Sequence, residues 1–404
     1  MAKSLKENEL KKVSYNLLLA NRRRIGKYQY TVPSPETYPY QWLWDSCFHS
    51  IVLVHFNVED AKKELLSLVS SQFKDGLIPH MIYWERTNAI NIHWGRHGTS
   101  SITQPPMIAY AVWQIYKKDN GREFLQKIYP NLYSYYNYLI TERDPRQHHL
   151  SGIINPDESG EDNSPRFDIP LGLLPQQTLE ESTKRRVALV NKHIACDFNV
   201  KDCMRNFFWV KDVPFNSILI ENLQAMENIA GVLNLHQDVT FFNLQQNLMK
   251  KAMRDLMFED GIFWSTYGEN YKKIKVKTWA IFAPLFAKIY SKSEAKKLIK
   301  NQLLNSREFA TNYPVPTVSI DEQSYDPTGF WRGPVWIAIN WFIFKGLLNY
   351  GFYEIAEKIK QSSIDLVKKN GFREQFNPET GEGLGAYNFT WGTLVADMIE
   401  EVNN

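Results

Sequence analysis

The sequence predicts an all-α protein built from paired helices, and three observations carry that reading. Eleven segments repeat apolar residues at helical spacing. Breakers separate the members of a pair, as Lys118-Asp119-Asn120-Gly121 does between residues 102–116 and 124–140. Strand-like stretches are short and scattered, with 29–32 and 261–265 as examples, which argues against a layered α/β fold.

The first helix is expected over 5–24, with Arg22, Arg23 and Arg24 near its C-terminal end, where cations complement the helix dipole. A second covers 46–72, with Ile51, Val54, Ala61, Leu65 and Leu68 at roughly helical spacing. The pair 102–116 and 124–140 follows, and then 216–233, 239–257, 278–290, 293–304, 335–350, 352–369 and 389–402. Ser291 with Glu294 makes a capping box, and Asn370-Gly371 makes a stop. Helices in such number suit a closed toroid of helical hairpins, inner helices lining a bowl and outer ones covering them. An α-solenoid is the competing layout, although no residue signature repeats at a fixed period. Two loop-rich regions interrupt the helices, 27–45 and 144–214. The second is long for a compact domain and is expected to form a lid and active-site segment. The whole of 1–404 is read as one catalytic domain.

Composition narrows the function. Hydrophobic residues at 44% and charged residues at 23% describe an ordinary globular chain able to bury a large core. The 47 basic and 44 acidic side chains are intermixed, so no footprint for nucleic acid or an anionic membrane emerges. No stretch approaches the roughly 18 apolar residues of a spanning helix. Cys47, Cys196 and Cys203 are too few for a disulfide framework and lack zinc-ligand spacing, so a reducing, cytoplasmic setting is expected. Assembly into a homo-oligomer is left open. Aromatic residues make up 14% of the chain, with 12 tryptophans, many of them clustered beside polar residues. Sugar rings present apolar faces that stack on such rings and hydroxyls that need hydrogen-bonding neighbours, so the clusters point to a carbohydrate site; filling of a large core is the alternative.

Two acidic segments offer chemistry. Residues 155–168, NPDESGEDNSPRFD, gather five carboxylates in a loop that Gly160 and Pro165 constrain. Crowded like charges raise at least one pKa, which is how a carboxylic acid stays protonated to serve as a general acid. A solvated acidic loop or a calcium site would look similar, but the spacing departs from the EF-hand pattern and Arg166 suggests internal ion pairing. The second segment, FREQFNPETGEGLG at 372–385, follows the Asn370-Gly371 stop, which places Glu374 on a loop. Glycoside hydrolysis needs two carboxyl groups on opposite sides of the scissile bond. Aromatic clusters stand at 38–45 (YPYQWLWD), 80–85 (HMIYWE) and 330–336 (FWRGPVW), while Trp336 and Trp341 fit the core. His93 and His97 are spaced to face one metal, yet no third ligand accompanies them and Gly95 weakens a helix there, so neither metal nor cofactor is expected.

These motifs resemble glycoside hydrolase family 63 and its relatives that hydrolyse mannosylglycerate and glucosylglycerate. QWLWDSCFHS at 41–50, DGLIPHMIYW at 75–84, SITQPP at 101–106, ESGEDNSPRFD at 158–168, WRGPVWIAINW at 331–341 and EQFNPETGEGLGA at 374–386 stand in the family's order. The fourth is also similar to the ESGWDFSSRW signature of trehalases. The resemblance implies an (α/α)6 barrel and an inverting α-glycosidase, with Asp162 as general acid and Glu374 as general base. It places Trp42, Asp45, Gln104, Trp331 and Arg332 around the substrate, to which Tyr38 and Tyr83 of the aromatic clusters are added. The substrate it implies is a small α-glucoside or α-mannoside, with glucosylglycerate or mannosylglycerate foremost. Arg185, Arg186 and Arg205 are the candidates to pair with a glycerate carboxylate, each set against a plain structural ion pair. A general α-glucosidase or trehalase-like hydrolase is the alternative enzyme, and a non-catalytic carbohydrate-binding toroid the alternative of another class.

Overall fold

A computed structural model describes residues 7–84 and 98–402. The chain gathers into two compact units, each assembled from separate stretches of sequence: Met1–Tyr40, Asp45–Glu64 and Lys277–Asn404 in one, Gln41–Trp44 and Leu65–Val276 in the other.

In the first unit the opening helix is Glu7–Ala20 and stops before the arginine run. Arg22–Ile25 pairs antiparallel with Tyr28–Thr31 across Gly26, whose φ of +54° suits glycine. The arginines therefore stand on a β-hairpin and not on a helix end. The physical reason lies in Asn21, whose side-chain amide donates to the carbonyls of Pro33 and Asn388 and holds the chain out of helical continuation. Arg22 pairs with Asp60 at 2.8 Å, so the run is structural for a reason other than the dipole. The expected helix 46–72 is two, Leu43–Leu53 and Val58–Val69, because the Asn57 side chain accepts from the Asp60 N–H and starts a new helix. Its predicted core positions are buried all the same.

The centre of this unit is Ile337–Asn349, apolar around nearly its whole circumference and packed against Tyr353–Asn370 and Ala283–Phe286. Trp336 and Trp341 are core residues, as expected. Tyr353–Asn370 ends at Gly371 with φ +72°, and the Ser291–Glu294 capping box forms before Lys292–Leu298. The predicted helix 278–290 contracts to a 3-10 turn, Trp279–Phe282, and one α-turn, Ala283–Phe286; 389–402 likewise begins as 3-10 at Thr390–Leu394 before Val395–Val402.

The second unit is built on two helical hairpins, Ile108–Asp119 with Arg122–Thr141 and Val213–Leu233 with His236–Met257. Val213–Leu233 packs on all three others. The first of these begins at Ile108 and not at 102, because Pro105-Pro106 cannot supply the helix with N–H donors. Within 144–214, expected as loop, lie Leu179–Ala195 and Val200–Asn206. The longer of them starts on a complete capping box, Thr178 with Glu181, a signal that the sequence carried. Residues 144–172 remain irregular apart from short turns, and this irregular stretch holds the acidic motif.

Candidate active site

The carboxylates of the 155–168 loop are divided among several partners. Asn155 accepts from the Asp157 N–H and starts a 3-10 turn, Pro156–Ser159, which Gly160 closes at φ +72°. A Cβ on Gly160 would lie 2.2 Å from the Trp44 ring, so both backbone and packing demand glycine. Glu158 is buried and takes a two-pronged contact from Arg143, 2.7 Å on each oxygen, while also accepting from the N–H groups of Thr103 and Ile154. Glu161 receives both terminal nitrogens of Arg166 at 2.9 and 3.0 Å, and the Arg166 Nε donates to Asp212. Asp212 in turn caps Val213–Leu233 and accepts from Ser265. Internal pairing through Arg166 thus occurs as the sequence suggested. These buried pairs stake the loop to two helices, because breaking either would strand an uncompensated charge.

Asp168 accepts from the Gln177 side chain, and Asp157 and Asp162 are joined by Arg186 at 2.6 and 2.7 Å. Arg186 projects from Leu179–Ala195, within the 144–214 region. Burial pushes the Asp157 carboxyl up to about 6; Arg186 opposes the shift and the neighbouring Asp162 charge adds to it. One carboxyl of the crowded loop is raised as expected, but desolvation outweighs like-charge repulsion. The Asp162 side chain keeps 23% exposure, against 0% for Glu158 and 1% for Glu161.

Of the aromatic residues of the same unit, Trp44 packs on Gly160 of this loop. Gln41–Trp42 pairs antiparallel with Met81–Ile82, and the Trp42 ring meets His80 edge-on at 5.2 Å. Burial drives His80 down to about 3, so it stays neutral, hydrogen-bonded to Ser100 at 2.6 Å. Tyr83 is buried, its N–H donating to the Gly98 carbonyl. Gln104 is buried and accepts from the Trp44 N–H at 3.4 Å, next to Thr103, whose N–H binds Glu158. Trp42, Gln104 and the acidic loop are therefore tied together through backbone and Trp44. Glu85, at the end of the HMIYWE cluster, and the pair His93 and His97 lie outside the described residues.

In the other unit Glu374 is on a strand and not on the expected loop. Arg373–Phe376 pairs with Gly383–Tyr387 in a hairpin whose turn is set by Asn377, accepting from the N–H groups of Glu379 and Thr380. The Glu374 side chain is buried, with Tyr38 donating to one oxygen at 2.7 Å and the Ala386 N–H to the other at 2.8 Å. Both of these partners donate to the carboxylate oxygens. Gly385, at φ +66°, makes room for this, since a Cβ there would fall 2.3 Å from the carboxylate oxygen. Gly385 of the GEGLGA stretch thus serves the carboxylate directly, while Gly381 and Gly383 make room for Tyr313 and Arg373.

Tyr38 leads on to an aromatic group. Its ring meets Phe389 at 5.6 Å, and Phe389 meets Trp391 at 5.4 Å. Trp331 stacks on Trp336 at 3.9 Å with planes 4° apart, and both rings contact Trp391. Phe330, with φ +61°, holds a backbone conformation that a bulky residue adopts only under constraint, and it turns the chain into Trp331. Trp391 donates its indole N–H to Asp45 at 2.5 Å. Burial raises the Asp45 carboxyl to about 6, opposed by His49 and by the Trp391 bond. Arg332 is buried beside Gly333, where a Cβ would strike the Asp326 carbonyl at 2.3 Å. Tyr38, Asp45, Trp331 and Glu374 are thus connected through Phe389 and Trp391. Trp391 was missed in the sequence, where a lone tryptophan in a C-terminal helical segment gave no sign of its partner.

Comparison with known proteins shows the family. Residues 38–392 match the family described as mannosylglycerate hydrolase MGH1-like glycoside hydrolase domain. A mannosylglycerate hydrolase from Thermus thermophilus is 32% identical, the match covering 93% of this chain and 97% of that one. A glucosylglycerate hydrolase from Mycolicibacterium hassiacum is 26% identical over 89% of this chain and 92% of its own length. The crystal structure of the family 63 mannosylglycerate hydrolase from Thermus thermophilus, in complex with Tris, superposes with a TM-score of 0.89 at 31% identity, covering 97% of this chain and 100% of that one. The fold class is the (α/α)6 barrel of these enzymes. Among the described residues no helix is long and apolar enough to cross a membrane. The chain belongs to the mannosylglycerate hydrolase MGH1-like domain family and is a glycoside hydrolase of family 63.

Proposed function

We propose that the protein hydrolyses mannosylglycerate or glucosylglycerate with inversion at the anomeric carbon, Asp162 protonating the departing oxygen and Glu374 deprotonating the attacking water. The acid assignment is supported by the division of labour in the acidic loop: Glu158 and Glu161 are consumed by buried arginines, while Asp162 keeps 23% exposure, slightly more than the 17% of Asp157 on the same arginine. For Glu374 the support is its two donors, which orient a carboxylate as an acceptor of a water proton. Asp45 and Gln104 are suited to bind sugar hydroxyls, and Trp42, Tyr83, Trp331 and Arg332 are proposed as further substrate-binding residues. The names of the Thermus and Mycolicibacterium relatives support a glycerate aglycone.

Of the three arginines considered for the glycerate carboxylate, Arg185 and Arg205 are exposed, whereas Arg186 is largely buried and already holds two carboxylates. Arg186 is therefore the arginine of the three proposed to meet a substrate carboxylate, beside Asp162. The three free cysteines accord with a cytoplasmic setting.

The test is incubation with a panel of α-glucosides and α-mannosides, the glycerates included, with anomeric protons followed by NMR. Turnover of a glycerate glycoside with the β-anomer released first is expected. Asp162→Asn and Glu374→Gln should each lose several powers of ten in kcat with the fold intact; rates like those of the parent would remove the roles. Activity confined to trehalose or to unsubstituted α-glucosides would overturn the aglycone.

A further inference from the structure

Cys196 and Cys203 stand seven positions apart in sequence, but the chain between them brings their side chains into contact. Cys196 follows the last turn of Leu179–Ala195. Asp197 and Phe198 both take left-handed backbone conformations, φ +49° and +52°, and fold the chain back. Asn199 then caps Val200–Asn206, which carries Cys203. The two Sγ atoms lie 3.1 Å apart, both cysteines being free thiols. A disulfide requires about 2.05 Å between sulfurs, so closure asks for a movement of only about 1 Å. Among the described residues no group of three or more His, Cys, Asp or Glu side chains is placed to hold a metal ion at this pair.

The two thiols differ in access. Cys203 is fully buried among Ile102, Ile154, Phe198, Met204 and Trp209, whereas Cys196 lies at the edge of that cluster, partly exposed, its Sγ donating to the His193 carbonyl at 3.4 Å. Burial also pushes the Cys203 thiol up, so Cys196 is the entry point. Cys47, the third thiol, is buried on Leu43–Leu53.

We propose that Cys196 and Cys203 form a thiol–disulfide exchange site whose co-reactant is a small-molecule disulfide. The Cys196 thiolate attacks the external S–S bond, forming a mixed disulfide and expelling one thiolate. Cys203 then gives up its proton and attacks the Cys196 Sγ, breaking the mixed bond and expelling the second thiolate. Two protein S–H bonds and one external S–S bond become one protein S–S bond and two external thiols, the two protons leaving with those thiols. The second step is intramolecular between atoms already in contact, so the mixed disulfide does not accumulate.

The experiment is incubation of the reduced, full-length protein with oxidised glutathione, followed by intact mass and peptide mapping. The parent is expected to lose about 2 Da, two hydrogens, with the crosslink mapped to 196 and 203 and Cys47 still reduced. Cys203→Ser should instead retain a glutathione adduct on Cys196, and Cys196→Ser should react at least about tenfold more slowly than the parent. Because Cys203 sits in the core, the parent's own mass decides the matter without a variant. A persistent glutathione adduct on the parent, a crosslink through Cys47, or no mass change under conditions where the urea-unfolded chain reacts would overturn the proposal.

Discussion

The contact between Tyr38 and Glu374 assigns Tyr38 to holding the proposed base rather than to binding sugar alone, and Tyr38→Phe separates the two roles. The substitution deletes one hydroxyl and leaves the ring that packs on Phe389. The bond lost is 2.7 Å long and made to a buried carboxylate. Hydrogen bonds to charged groups contribute about 1.5 to 3 kcal/mol net. Tyr38 is half-buried and water can partly replace it, so the lower part of that range applies, about 1.5 to 2 kcal/mol, or about 10- to 30-fold in rate. The Ala386 N–H still holds the other oxygen, so the loss should stay far short of that in Glu374→Gln. Steady-state kinetics on the preferred glycerate glycoside provides the assay. The expected outcome is a fall in kcat of this size with KM little changed and thermal unfolding near that of the parent. A raised KM with unchanged kcat would mean that the hydroxyl binds substrate and does not position the base, and an unchanged kcat/KM would refute the reasoning altogether.

Two further predictions concern the loop and the buried acid of the other unit. Gly160→Ala combines a left-handed backbone cost with a Cβ placed 2.2 Å from the Trp44 ring, so it should destabilise by about 2 to 4 kcal/mol in chemical denaturation; a loss under about 1 kcal/mol would show that the loop relaxes freely. Asp45 has a folded-state pKa of about 6 against an ordinary 3.8, so the fold prefers its neutral form. Its contribution is full below about pH 3.8 and is lost as pH rises through 6, amounting to about 3 kcal/mol. Asp45→Asn should remove that slope when urea stabilities are compared at about pH 4 and about pH 7. A variant that retains the parent's pH dependence would show that the slope comes from elsewhere.

Part of this molecule was legible because it is written locally. Helix existence follows from apolar spacing and from caps such as Ser291–Glu294 and the Gly371 stop, which act within one turn of chain. The overlooked helix Leu179–Ala195 was legible too, since its Thr178–Glu181 box obeys the same rule. Boundaries failed where a distant partner decided them: Asn21 reaches Asn388 to end the first helix. The break inside 46–72 came from a cap at Asn57 that a continuous apolar pattern concealed.

The chemistry divides along the same line. Residue types and their order, Glu-Asp-Asn-Ser around Asp162 and the glycines after Glu374, are present in the sequence, and it is their resemblance to the motifs of family 63 that led to the acid and base proposed here. Which carboxylate goes to an arginine core and which keeps access was settled by packing alone: Arg143 and Arg166 take Glu158 and Glu161, and Arg186 arrives at Asp162 from a separate helix. Tyr38 reaches Glu374 across 336 positions of chain, and Trp391 reaches Asp45 across 346. Hydrogen bonds and ion pairs depend on distances of a few ångströms between side chains, and sequence separation carries no record of those distances until the chain has folded.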